Sequence, residues 1–174
     1  SLADGKLLWS TPYKQGGGRY QTATPIIADG KVILAGKAFA IESGGGKFSA
    51  KEVWSEGTPH QYNTPVVKDG ILYGFAGQGR STKVYAQDVK TGKALWTDGA
   101  SGGECGSILD AGPVLIALSS DGNLVVFKGD KEDFKEVAKY KVADSGTWAM
   151  PIVAGKRIFV HGFVHRRAAG SRAR

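Results

Sequence analysis

Cys105 stands alone between Glu104 and Gly106 in a chain of 174 residues. A single thiol has no mate for an internal disulfide, and metal-binding CxxC pairs are absent. Glu104, Asp110 and Asn63 offer oxygen ligands of the kind calcium accepts. Nothing in their spacing marks a cage, so surface and turn roles are expected for all three. His161 and His165 are four apart, which would suit a metal on a helix. Here the first falls at the end of an apolar strand and the second in a tail without repeat, so the geometry fails. His60 lies in a Pro-containing loop beside Gln61 and Tyr62. No Ser, His and Asp combination is recognisable. Gly74, Gly77 and Gly79 before Arg80 superficially suggest a phosphate loop, yet such a site needs a helix directly after the glycines. The next segment, Lys83 to Gln87, reads as a strand instead. Gly16-Gly17-Gly18 and Gly44-Gly45-Gly46 are read as connections. No catalytic, cofactor-binding or metal-binding residue is assigned.

The composition sets the frame for these residues. There are 26 glycines, one Cys and one Met. Glycine supplies the positive-φ positions that tight hairpins require, which suits many short strands. No apolar run approaches the roughly 20 residues of a transmembrane helix. The formal charge is +7. Arg166, Arg167, Arg172 and Arg174 account for much of it. Without residues 163–174 the chain holds 19 basic and 16 acidic residues, a net +3. That body shows no clustered basic stripe with aromatic residues, so nucleic acid is not an expected partner.

Four segments share one pattern: 24–34, 64–74, 106–116 and 150–160. Each is a short apolar run, a Gly-containing turn and a second apolar run, the signature of a β-hairpin. Pro25, Pro65, Ser107 and Pro151 occupy the same place, at spacings of 40, 42 and 44 residues. Propeller blades of four strands run to about 40–50 residues, so the period fits one blade per repeat. A third strand comes after each hairpin, as in Val84-Tyr85-Ala86 and Leu124-Val125-Val126-Phe127. The fourth ends in Trp9, Trp54 or Trp96, with a weaker equivalent near Tyr140. This predicts an outer strand at 1–11, blades at about 22–57, 63–98 and 104–142, and a partial blade at 148–162. Residues 163–174 form a basic tail outside the repeat. Because Ser1 stands in mid-motif, the chain is read as a fragment of a larger ring, with any export signal or membrane anchor upstream.

Ala86, Asp88, Thr91, Gly92, Lys93 and Trp96 resemble the PQQ-type propeller repeat. That repeat occurs in quinoprotein dehydrogenases and in non-enzymatic relatives such as the BamB-type outer-membrane assembly lipoproteins. The resemblance implies an all-β propeller of four-stranded antiparallel blades, about four of them here with the last incomplete. It also implies that Trp9, Trp54 and Trp96 dock between blades, with Asp88 and Gly92 shaping the turn. In the dehydrogenases it implies PQQ, calcium and an adjacent Cys-Cys pair. Cys105 alone cannot supply that pair.

The expected function is a non-catalytic, extracytoplasmic or periplasmic scaffold that binds a protein or ligand and needs no cofactor. The alternative is a fragment of a PQQ- and calcium-dependent dehydrogenase whose catalytic residues lie elsewhere. Trp148 breaks the outer-strand pattern and should sit at a blade's start, near one face of the ring. With Tyr62 and Arg80 it forms a candidate protein-binding rim, since Trp, Tyr and Arg dominate binding hot spots.

Overall fold

The computed structural model describes residues 1–13, 22–55, 62–77, 81–98 and 102–163. Among these residues there are only strands, turns and loops, with no helix. Strands β1 (Ile26–Ala28), β2 (Lys31–Leu34), β3 (Lys37–Gly44) and β4 (Lys47–Trp54) form the first sheet. Strands β5 (Val66–Lys68), β6 (Ile71–Ala76), β7 (Lys83–Asp88) and β8 (Ala94–Asp98) form the second. The third holds β9 (Gly106–Asp110), β10 (Leu115–Ser119), β11 (Asn123–Lys128) and β12 (Lys135–Lys141). A last hairpin pairs β13 (Ile152–Ala154) with β14 (Arg157–Phe159). Every sheet is antiparallel and laid down in chain order.

The turns explain why the hairpins close where they do. Asp29-Gly30 and Asp69-Gly70 have φ of 49° and 68°, and of 51° and 75°. Two positive-φ residues make the turn whose twist matches the flanking strands, and Asp followed by Gly tolerates it.

Register shows how the sheets correspond. Ile26, Ile33, Ala38 and Trp54 lie in one row across the first sheet. Val66, Tyr73, Ala86 and Trp96 form the matching row of the second. In the third the row is Leu109, Ile116, Val126 and Ala138. Beside this row each outer strand carries a β-bulge, between Ala38/Phe39, Ala86/Gln87 and Val126/Phe127 on its partner. The extra residue bends the outer strand and sharpens its twist.

These rows define a forward face that packs on the next sheet. Ile33, Ala38 and Trp54 cluster with Leu72, Tyr85 and Val89 of the second sheet. Tyr73, Phe75, Val84 and Ala86 cluster with Ile108, Ala117, Val125 and Phe127 of the third. The forward face of the third sheet gathers Ile116, Leu118 and Leu124 against Val160, just past the last hairpin. Each buried side chain of this size is worth about 1.5–3 kcal/mol, so stacking holds the sheets in sequence. Sheets stacked face to face by repetition are propeller blades.

Three expectations need correction. Residues 1–11 form no strand: Gly5 N donates to Ser1 O at 3.0 Å and the Ser1 amino group to Lys6 O at 2.7 Å. An outer strand bonds to the third strand of its own blade, and none stands beside 1–13 among the described residues. The place of Trp54 and Trp96 is taken in the third blade by Ala138, not Tyr140, which pairs with Leu124. Ser107 is not equivalent to Pro25 and Pro65. The longer β9–β10 loop moves the register by one residue, so Leu109 rather than Ile108 joins the forward row, and a one-residue slip reverses every side chain.

Candidate functional site

In an antiparallel sheet, the turns joining strands one to two and three to four share one end. The tryptophans work at that end. Trp54 closes β4, and its Nε1 donates to Val89 O at 3.1 Å in the β7–β8 turn of the next sheet. Trp96 donates from Nε1 to Asp130 O at 3.0 Å in the β11–β12 turn. Its ring lies 6.0 Å from Tyr73 and meets Phe134 edge-on at 5.8 Å. Trp9 stacks on Phe48 at 6.4 Å, beside the β3–β4 turn of the first sheet. Trp54 and Trp96 thus reach the same turn of the sheet after their own.

The β7–β8 turn is shaped to receive the indole. Asp88 Oδ1 accepts from Thr91 N and Thr91 Oγ1, both at 2.8 Å. Burial pushes this carboxyl's pKa up, but the Thr91 bonds outweigh it and the net shift is downward. Gly92 comes next with φ of 76°, and a Cβ there would lie 2.6 Å from the Trp54 ring. Buried Gln87 donates from Nε2 to Gly92 O at 2.5 Å, while its Oε1 has no hydrogen-bond partner among the described residues. Burial raises the pKa of the Tyr73 hydroxyl, near Trp96, to about 12.

The opposite end carries the loops between strands two and three and those leading into each first strand. Thr82 Oγ1 donates to Gly102 O and Gly103 O, each at 3.1 Å, tying the second sheet to the approach of the third. Ser120 Oγ accepts from Glu104 N at 2.9 Å, and a Cβ on Gly103 would overlap that oxygen. Asp121 is held by Ser119 Oγ at 2.5 Å and Asn123 Nδ2 at 2.8 Å. Thr147 donates from N to Ser120 O at 3.1 Å and from Oγ1 to Ser119 O at 2.7 Å. The next residue, Trp148, is therefore carried on a fixed backbone, and it is 57% exposed.

Tyr62, 52% exposed, stands just before β5 at this same end. It belongs to the approach of the second sheet and Trp148 to that of the last hairpin, with the third sheet between them. Arg80 lies outside the described residues, as do His60 and His165. The anchoring role of Thr147 carried no sequence signal, because a lone Thr in a loop looks like any other.

The residues with chemical potential are kept apart. Cys105 is buried and burial raises its thiol pKa, the reverse of a reactive thiolate. Asn63 Oδ1 accepts from Gly106 N at 3.0 Å. Asp110 is paired with Lys68 at 2.9 Å, and that ammonium holds its carboxyl below the usual range. Glu104 and Asp110 flank opposite ends of β9, a separation of roughly 17 Å for a five-residue strand. Asn63, Glu104 and Asp110 thus do not fit one calcium cage. Among the described residues no group of three or more His, Cys, Asp or Glu could hold a metal ion. His161 meets Phe163 edge-on at 6.4 Å. No helix of the described residues is long and apolar enough to cross a membrane.

Stacked four-stranded blades, joined through tryptophans that reach the next blade's turn, define a β-propeller protein. The family model described as outer membrane protein assembly factor BamB matches residues 1–98, and the chain belongs to that family. No curated protein sequence matches the chain. Among solved structures, BamB from Moraxella catarrhalis is similar at 14% identity and a TM-score of 0.44, covering 91% of this chain and 61% of its own. The computationally designed Ika8 protein is similar at 12% identity and a TM-score of 0.43, covering 79% of this chain and 54% of its own. The chain thus spans less than two thirds of either structure.

Proposed function

We propose that the chain acts as a non-catalytic, extracytoplasmic propeller scaffold that holds a protein partner at the end bearing Trp148. The exposed Trp148 next to the doubly anchored Thr147 carries this reading. A large amphipathic ring presented on a rigid loop loses little conformational entropy on binding, which is why such rings serve as anchors. Tyr62 at the same end adds a second exposed aromatic ring. The family's description places its members in outer-membrane protein assembly, so the partner proposed is a protein component of that assembly. The scaffold requires neither PQQ nor calcium.

The test is photo-crosslinking from position 148 in an envelope that assembles outer-membrane proteins. A discrete protein adduct from position 148, absent from a control probe at Lys139, is expected. Equal labelling from both positions would sink the proposal. Quinone absorbance together with alcohol or sugar oxidation by the complete protein would replace it with the dehydrogenase reading.

A further inference from the structure

Trp148 sits on a glycine. A Cβ at Gly146 would lie 3.1 Å from Trp148 Nε1 and 3.7 Å from its Cδ1, so the pyrrole edge of the indole rests over the bare backbone of residue 146. That backbone is held from both sides. Gly146 O accepts from Phe163 N, and Thr147 N donates to Ser120 O, each at 3.1 Å. The φ of Gly146 is not in the left-handed region, so the backbone itself would accept alanine. What this position asks of glycine is room for the ring. The contact is made within one loop, between residues two apart, and needs no neighbouring sheet.

We infer that Gly146 is a positioning residue for partner binding, its missing side chain setting the pose in which Trp148 is presented. The inference rests on the scaffold reading above, with Trp148 as the anchor. A methyl group at 3.1 Å would be closer than the about 3.5–4.0 Å of a relaxed carbon contact, so one side must yield. The two sides are not held equally. The backbone is tied to Phe163 and Ser120, and Thr147 Oγ1 adds a bond to Ser119 O at 2.7 Å. The ring is 57% exposed, and its Nε1 has no hydrogen-bond partner among the described residues. Trp54 over Gly92 is the opposite case, 7% exposed and bonded to Val89 O, so that ring cannot leave. At Gly146 it is the ring that yields. A methyl group lifts the indole off its seat and leaves the loop in place. An anchor already set in its bound pose loses little freedom on binding, and a displaced one forfeits both that advantage and its fit.

The ring is read first in the free protein and then in the envelope. The indole N–H resonance of Trp148, assigned by its loss in Trp148→Phe, should shift in Gly146→Ala. Those of Trp54 and Trp96 should stay in place, with circular dichroism showing the fold retained. A photo-crosslinking residue is then placed at Met150, which is exposed and follows in the same loop. From there Gly146→Ala should lower the yield of the protein adduct at least about fivefold, the scale of losing a binding anchor. In a Trp148→Phe background, which lacks the pyrrole edge, Gly146→Ala should change the yield no further. An unmoved indole resonance would overturn the inference and leave the scaffold reading standing. So would a full adduct yield from Gly146→Ala where Trp148→Ala loses it. Loss of the fold would mean that the backbone yields and not the ring, which also overturns it. No adduct from the parent protein would sink the scaffold reading and this role with it, even with the resonance shifted.

Discussion

The Trp54 indole lies over the backbone of Gly92, in the one spot where a side chain at 92 would have to go. Two residues on different sheets thus depend on each other, the glycine by having nothing and the tryptophan by filling the space. Gly92→Ala should destabilise the fold both through strain at φ of 76° and through the clash. In a Trp54→Ala background the clash is gone and only the strain remains. A double-mutant cycle by urea denaturation should therefore show a coupling of about 0.5–3 kcal/mol. Additive losses would mean the contact is not made.

Trp96 joins the second and third sheets. Trp96→Ala should cost roughly 3–5 kcal/mol, the scale for emptying a buried aromatic site. An unchanged melting curve would refute a docking role for this residue. Trp9→Ala should cost less, since Trp9 is only part-buried and meets the exposed Phe48.

The Lys68–Asp110 pair crosses from the second sheet to the third, and Lys68 also donates to Gly112 O at 2.5 Å. The folded carboxyl of Asp110 titrates below its unfolded value of about 3.9. Its contribution is therefore complete above that pH and is lost as pH falls through the folded value. Asp110→Asn should melt lower than the parent at pH 7, with the gap narrowing in acid. The gap will be modest, because the carboxylate is partly exposed and water screens it. A gap that widens below pH 4 would contradict the pairing.

Cys105 should react slowly with a thiol reagent at pH 8 in the folded protein and quickly in urea. Burial raises its pKa and covers its sulfur, so both thiolate fraction and access are reduced. Rapid labelling under native conditions would show that the approach to β9 opens readily.

Trp148→Ala should leave thermal stability within about 0.5 kcal/mol while reducing partner capture, as befits an exposed side chain. Loss of stability with capture intact would return Trp148 to a packing role.

The blades were readable in the sequence because their turns are local. Asp29-Gly30 and Asp69-Gly70 announce tight hairpins, and the Thr91-Gly92 turn ends predictably before Trp96. Register across the sheet was not readable. Counting residues placed the third-blade equivalent of Trp96 near Tyr140, but a bulge and a longer hairpin decide that it is Ala138. Both are settled by pairing between strands, which no local window contains. The loop end was harder still. The Ser119, Ser120 and Thr147 bonds that steady Trp148 join segments 28 residues apart, with no periodicity to betray them.

Strands β6, from Ile71 through Phe75, and β10, from Leu115 through Ser119, are buried on both faces, and among the described residues the second sheet alone has a complete four-stranded neighbour on each side. Stability in such an array is a sum over nearest neighbours, so it falls away from the middle. Amide hydrogens of β6 and β7 should exchange last, and those of the β13–β14 hairpin first. The chain would then come apart from its ends inward, and a protease would shorten it by whole blades before reaching the centre.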